Sequence, residues 1–249
     1  MTDLKILAWD IETRPHTVYR WGLFDQSPVG LNQVSDFGGV LSFAARWVGS
    51  PKKEIAFFSD HHDGHDNMIA AAWSLFDEAD ALLSWNGAGF DTKHMNREFL
   101  LAGLTPPSPT KEIDLMRAVK KRFRFPSNKL EHVAQALLGT GKQKHEGFDL
   151  WTKCLAGDEA AWKRMQKYNE QDVHLLIRLY DELLPWIDSH PNRNLYDGEG
   201  CPKCGSAQLQ RRGTRKTLVG EYARFQCQAC GGWSSSGKAI ERVDIREDK

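Results

Sequence analysis

No apolar stretch in these 249 residues approaches the roughly 20 that a membrane-spanning helix needs, so a helical membrane protein is not expected. The N-terminus also lacks a basic, apolar, small-residue leader pattern, which makes a cytoplasmic setting the expectation. Net charge is missing as well: 33 basic residues balance 33 acidic ones, so the total argues neither for nor against a polyanionic partner. Cysteine is scarce. Four of the five fall in two Cys-x-x-Cys pairs near the C-terminus, a pattern that points to a metal before a disulfide framework. With 41% hydrophobic and 27% charged residues, the chain has the makeup of a globular protein with one sizeable core and a small appendage. Its charge is unevenly spread. From Cys201 onward ten basic residues face five acidic ones, a net +5 that leaves −5 for residues 1–200. An acidic body suits cations, and a basic tail suits a polyanion.

The stretch Leu4 to Thr13 (LKILAWDIET) organises the rest. Ile6, Leu7, Ala8 and Trp9 read as a buried strand that runs into Asp10-Ile11-Glu12. Residues two apart on a strand share a face, so both carboxylates project to one side while Ile11 turns back to the core. Two anions held that close repel, and a divalent cation removes the penalty; all-oxygen ligands suit Mg²⁺ or Mn²⁺. A strand end running into solvent explains the same residues equally well when they are taken alone.

A long loop, Arg14 to Gly38, follows, with Tyr19, Trp21 and Phe24 expected either to cap the core or to stack on a base, capping being the commoner fate. Val40–Val48 and Glu54–Ser59 read as strands of an antiparallel hairpin across the turn Gly49-Ser50-Pro51. Asp66–Ala79 has helical apolar spacing, Ala81–Trp85 reads as a strand, Phe90–Ala102 as a helix and Glu112–Leu115 as a weak strand. From Met116 the pattern is mostly helical to Trp186, with helices expected over Asn128–Leu138, stopped by Gly139, and Asp158–Leu184. The basic and aromatic interleave Arg117 to Phe125 is either a nucleic-acid backbone track or an exposed helix face. Together these elements describe an α/β sheet opened by an antiparallel hairpin.

Further along, Asp91 closes the run Trp85-Asn86-Gly87-Ala88-Gly89-Phe90-Asp91, just after a strand. If that strand neighbours the first, Asp91 lies near Asp10; a solvated Asp at a helix N-terminus is the competing reading. Tyr168 and Asp172 are four apart in Tyr168-Asn169-Glu170-Gln171-Asp172, hence on one helical face close to Leu175, Leu176 and Leu179.

Asp-x-Glu, Asn-x-x-x-Phe-Asp and Tyr-x-x-x-Asp, in this order, resemble the three motifs of the DnaQ-like 3′→5′ exonucleases. The match is to the Asp-Glu-Asp-Asp-Tyr subgroup, because the place of the alternative histidine is Lys167. Lys129-Leu130-Glu131-His132-Val133-Ala134 through Gly139 resembles the helix before the third motif in polymerase-associated members. Trp21 to Gln26 is similar to phage-type members. The resemblance covers roughly residues 4–186. It implies a ribonuclease H-like mixed sheet, antiparallel hairpin plus parallel strands, with flanking helices.

The same resemblance implies Asp10, Glu12, Asp91 and Asp172 as ligands of two Mg²⁺ or Mn²⁺ ions. Tyr168 orients the attacking water, and Thr13, Trp21 and Asn86 contact substrate. The implied activity is metal-dependent release of nucleoside 5′-monophosphates from the 3′ end of single-stranded nucleic acid, with DNA favoured over RNA. Structure-specific cleavage by a ribonuclease H-like enzyme and an inactive nucleic-acid-binding adaptor are the alternatives.

In the tail, Cys201-Pro202-Lys203-Cys204-Gly205 and Cys227-Gln228-Ala229-Cys230-Gly231 repeat one knuckle, and the four thiolates suit one structural Zn²⁺. Strands are expected at Lys216–Val219 and Tyr222–Phe225, as in a zinc ribbon. Its basic residues, with Tyr222, Phe225 and Trp233, suit nucleic acid or docking to a separate DNA polymerase or replication protein. The expected division is residues 1–190 for the exonuclease unit, 191–200 for a linker and 201–249 for the ribbon and basic tail. Cys154 stands alone and is expected to pack. His61, His62 and His65 sit in a Gly- and Asp-rich turn that reads as a solvated loop rather than a metal site. His94, His132, His145 and His174 are isolated, His145 lying close to Lys142 and Lys144.

Overall fold

The computed structural model describes residues 3–22, 24, 27–141, 146–196 and 198–244. His145 and its neighbours Lys142 and Lys144 lie outside them, as do Leu23, Asp25 and Gln26 of the phage-like stretch. The chain opens with β1 (Ile6–Thr13), a short pair β2 (Thr17–Val18) and β3 (Val34–Asp36), and the hairpin β4 (Val40–Trp47) and β5 (Ala56–Ser59). Next come α1 (His65–Glu78), β6 (Ala81–Ser84), α2 (Asp91–Leu101) and β7 (Lys111–Asp114). Helices α3 (Leu115–Arg122), α4 (Leu130–Leu138), α5 (Phe148–Leu155) and α6 (Glu159–Leu183) complete the body. The tail holds β8 (Leu209–Lys216), β9 (Gly220–Cys227) and β10 (Trp233–Arg242). None of the described helices is long and apolar enough to cross a membrane.

Five strands form one sheet in the order β5-β4-β1-β6-β7. The β4–β5 and β1–β4 pairs are antiparallel, while β1–β6 and β6–β7 are parallel, so the expected mixed sheet is present. Period-two alternation splits β1 between two cores. Leu7, Trp9 and Ile11 pack with Met68, Ile69 and Phe76 of α1 and with Phe99 of α2. Ile6 and Ala8 face the opposite layer, Val119, Val133, Val173 and Leu176 of α3, α4 and α6. Asp10 and Glu12 continue that second face, which puts them under α6.

Elements end where local chemistry ends them. Gly139 closes α4 at φ 65°, a left-handed conformation that costs glycine nothing. Asp158 caps α6 by accepting from the amides of Ala160 and Ala161.

The structure corrects several sequence expectations. Tyr19, Trp21 and Phe24 do not cap the core: their exposures are 73%, 104% and 94%. The interleave Arg117–Phe125 forms an exposed basic helix face, with Phe123 and Phe125 packed against the core rather than presented to a base, and Phe123 against Trp186; its basic residues are compatible with either reading. Thr217 to Val219 is a turn rather than a strand, tied by reciprocal bonds between Thr217 Oγ1 and Gly220. The strand lies before it, hidden in the sequence by its polar run Gln210-Arg211-Arg212. Within the expected linker, Asn194 exchanges two hydrogen bonds with Gly200, and Arg193 N donates to Pro202 O.

Tail and body touch. Lys203 Nζ donates to Pro185 O at 2.7 Å, and Tyr196, Cys204 and Cys230 pack against the α6 core. Cys154 is buried beside Trp162 and Met165, and burial pushes its thiol up to about 11.

Candidate active site

Because β1, β6 and β7 run parallel, their carboxyl ends open on one edge of the sheet, the edge where ligands of such sheets gather. Asp10 and Glu12 stand at the end of β1. Asp172 comes from α6, and its burial (1% exposed) is forced by Val173, Leu175, Leu176 and Leu179, which hold that stretch of the helix against the sheet. The three carboxylates offer oxygens that all lie within 4.8 Å of one another, although 162 residues separate the first from the last. That spread is close to the about 4.2 Å between opposite oxygens on one Mg²⁺, so a small closure suffices for a shared hard cation.

Asp91 lies outside that gathering but lines the same cleft as Asp10, a space of about 570 Å³ with Trp85, Asn86, Phe90, Lys120 and Leu130 on its walls. The turn that delivers it is tight. Asn86 is the one non-glycine residue at positive φ (69°) among those described, and its amide donates to Asp114 Oδ1. A Cβ at Gly87 would fall 2.2 Å from Ser84 Oγ, so only glycine fits there. Thr13 lies apart from this cleft, in a neighbouring depression of about 380 Å³ with Arg14, Phe148 and Trp151. Trp21 lines neither depression.

Tyr168 is 8% exposed, one turn before Asp172 on α6, with the Trp151 ring 6.3 Å away. Between them sits a residue that the motif reading passed over. Asn169 is fully buried; its amide donates to Asp10 Oδ2 at 2.8 Å, and its carbonyl oxygen accepts from Ser42 Oγ at 3.0 Å. It therefore fixes both the flip of its own amide and one oxygen of Asp10. The available signal was only that Asn169 shares the inward face of α6; Ser42 gave none.

In the tail, Cys201 and Cys230 sulfurs are 3.7 Å apart and Cys204 and Cys227 sulfurs 3.6 Å apart, with all four within 4.8 Å. Those separations are too long for a disulfide and match the about 3.8 Å between sulfurs on a tetrahedral Zn²⁺. The two knuckles repeat each other: Gly205 N donates to Cys201 O and Gly231 N to Cys227 O, each glycine at positive φ. Burial raises the Cys227 thiol, yet the amides of Cys230 and Ala229 outweigh it and bring it down to about 7; burial pushes Cys204 and Cys230 up. The four-cysteine cluster fits zinc, and the three-carboxylate gathering fits Mg²⁺ or Mn²⁺.

A mixed sheet with a carboxylate cluster at the open end of its parallel strands is an arrangement that can hold divalent ions for metal-assisted chemistry. A sequence profile described as RNase_H superfamily matches residues 24–184, about two thirds of the chain, and the chain belongs to that superfamily. The match begins after β1, so Asp10 and Glu12 lie outside it, while Asp91, Tyr168 and Asp172 lie inside. No curated protein matches the chain. Membership suggests a nuclease-type function, and nucleases of this superfamily use divalent metal ions.

Proposed function

We propose that the chain is a metal-dependent 3′→5′ exonuclease of the DnaQ-like, tyrosine-bearing kind, acting on single-stranded 3′ ends with DNA favoured. The observation that carries this reading is the convergence of Asp10, Glu12 and Asp172 within 4.8 Å beside the cleft that also holds Asp91. Asp10, Glu12 and Asp172 would hold one Mg²⁺ or Mn²⁺, with Asp10 and Asp91 supporting a second. Such a pair, when bound, supplies an activated water and neutralises charge on the phosphate oxygens.

The chain's own residues do the rest. Asn169 holds Asp10 in the orientation the cage needs, so less ordering is left to the moment of reaction. Tyr168 orients the attacking water through its phenol. Phe90, 45% exposed at the cleft, and Trp85 offer faces on which a terminal base stacks, and Lys120 offers a cation to the phosphate behind it. Thr13 and Trp21 would meet the strand further from the reacting bond. The tail, in this reading a zinc ribbon following an exonuclease unit, presents Arg211, Arg212, Arg215 and Lys216 to solvent, with Arg224 4.8 Å over the Trp233 ring. That basic face suits the backbone of the same strand or a replication partner.

Digestion of 3′-labelled single-stranded DNA, duplex DNA, RNA and a circular single strand with Mg²⁺ or Mn²⁺ tests the proposal. It predicts stepwise release of 5′-monophosphates from linear substrates and resistance of the circle. Nicking of the circle means an endonuclease, and binding without turnover means an adaptor; either outcome replaces the reading.

A further inference from the structure

The turn between β5 and α1 is exposed, as expected, but its first two imidazoles are held by specific partners. His61 lies flat on the indole of Trp162, with ring centroids 5.2 Å apart and planes at 7°, and His62 stands edge-on to both rings. Both imidazoles aim Nε2 at one carboxylate, 98 and 97 residues away in sequence: His61 at Glu159 Oε1 (2.9 Å) and His62 at Glu159 Oε2 (3.2 Å). The three groups each offer a donor atom within 4.8 Å of the others. His65 does not join them; it turns to Glu98 (3.2 Å) and Asp60 (3.9 Å).

Two features separate this cluster from an ordinary surface ion pair. The first is preorganisation. His62 Nδ1 lies 3.0 Å from Ser59 Oγ, which also accepts from the His62 amide at 3.1 Å, and Ser59 is itself fully buried. A ring nitrogen held by a fixed partner is the usual support of a metal-binding histidine. When the neutral ring donates Nδ1–H to that hydroxyl, Nε2 points a lone pair at an anionic oxygen, an arrangement that calls for a cation between them. The second is spacing. A tetrahedral ion at about 2.0–2.1 Å from each donor sets the donors about 3.3–3.4 Å apart, close to the Nε2 to oxygen distances present. Side-chain exposures of 31%, 45% and 64% for His61, His62 and Glu159 leave an ion a way in.

We propose that His61, His62 and Glu159 form a transition-metal site, suited to Zn²⁺ by its two imidazoles and one carboxylate, that clips the β5–α1 turn to the first turn of α6. The site is separate from the carboxylate cage: Asp172 follows Glu159 by thirteen residues on α6, about 20 Å of helix. A bound ion would join two segments of distant sequence and hold the N-terminal end of the helix that also carries Tyr168, Asn169 and Asp172.

The test is the zinc content of the full chain after zinc loading and dialysis into excess Mg²⁺, read by elemental mass spectrometry. Wild type and Asp172→Asn are expected to keep one zinc more than His61→Ala and Glu159→Gln, all four retaining the cysteine-bound ion. Ser59→Ala, which keeps all three donors but frees the His62 ring, is expected to weaken that extra zinc by roughly tenfold. Added zinc should raise the thermal midpoint of wild type more than that of Glu159→Gln, whose exposed position spares the fold. Equal zinc content in wild type, His61→Ala and Glu159→Gln overturns the proposal, as does loss of the extra ion in Asp172→Asn alone.

Discussion

The cysteine cage draws its sulfurs from two local turns of the tail, whereas the carboxylate gathering joins Asp10 on the first strand to Asp172 on the last long helix. Their surroundings differ as much as their ligands. The carboxylates sit between two extensive apolar layers, one built on Leu7, Trp9 and Phe43 and the other on Ile6, Leu83 and Val173, which fold the body with or without an ion. The tail sheet shows mostly exposed side chains along β8 and β10 and mostly half-buried ones along β9. Cys201 and Cys227 are its buried sulfurs, so little but an ion and the contact with α6 holds it. In the proposed reading, one cage would strain its fold for the sake of chemistry and the other would help to make its fold.

Substitution of the ligands breaks the comparison most sharply. Asp10→Ala or Asp172→Asn should lower metal-dependent hydrolysis by roughly 10³-fold or more, several kcal/mol of barrier, in a digestion assay. Asp10→Ala also leaves the buried Asn169 amide without its acceptor and should cost about 1–3 kcal/mol. Asp172→Asn should leave metal-free thermal stability equal or higher, because it relieves repulsion among three anions within 4.8 Å. Cys227→Ser, or a strong chelator, should do the reverse. Hydrogen exchange should show β8 to β10 losing protection, on the order of several kcal/mol locally, while the body keeps its own.

Asn169→Ala probes the link between fold and cage. It leaves the Ser42 hydroxyl buried without its acceptor and lets Asp10 turn, for an expected cost of about 2–3 kcal/mol in denaturant unfolding and about tenfold in rate. A stability loss with no change in rate would make Asn169 structural only.

The last effect lies at the contact of tail and body. His190 stacks on Tyr180 and lies 2.7 Å from its hydroxyl. Burial, with Arg193 and Lys203 nearby, pushes the imidazole from 6.5 down to about 4 despite the Pro191 carbonyl. The folded state keeps this ring neutral while the unfolded chain protonates it. Its contribution is full above about pH 6.5 and is lost as the pH falls towards 4, on the order of 3 kcal/mol at most. Thermal midpoints measured from pH 7 to 4 should fall less steeply in His190→Gln.

Much of this was legible in the sequence, for physical reasons. Period-two alternation in β1 fixed the face of Asp10 and Glu12, helical spacing put Tyr168 and Asp172 together, and Gly139 marked the end of α4. Two Cys-x-x-Cys pairs announce their cage because spacing within a knuckle is a local property. What the sequence hid is tertiary. The bond from Asn169 to Asp10 and the partnership of His61 and His62 with Glu159 join residues that no local pattern relates. β8 was hidden because its side chains face solvent and carry no alternation to read. Tyr19, Trp21 and Phe24 misled because aromatic residues usually mark a core, whereas here all three are exposed to solvent.

The central claim is that Asp10, Glu12 and Asp172 form a cage for divalent ions, and Mn²⁺ uptake tests it directly. Electron paramagnetic resonance of free Mn²⁺, titrated into zinc-loaded protein, should show the wild type removing ion from solution and Asp172→Asn removing far less. Equal uptake by the two proteins would contradict the account, because the ion would then be held by something other than the gathered carboxylates.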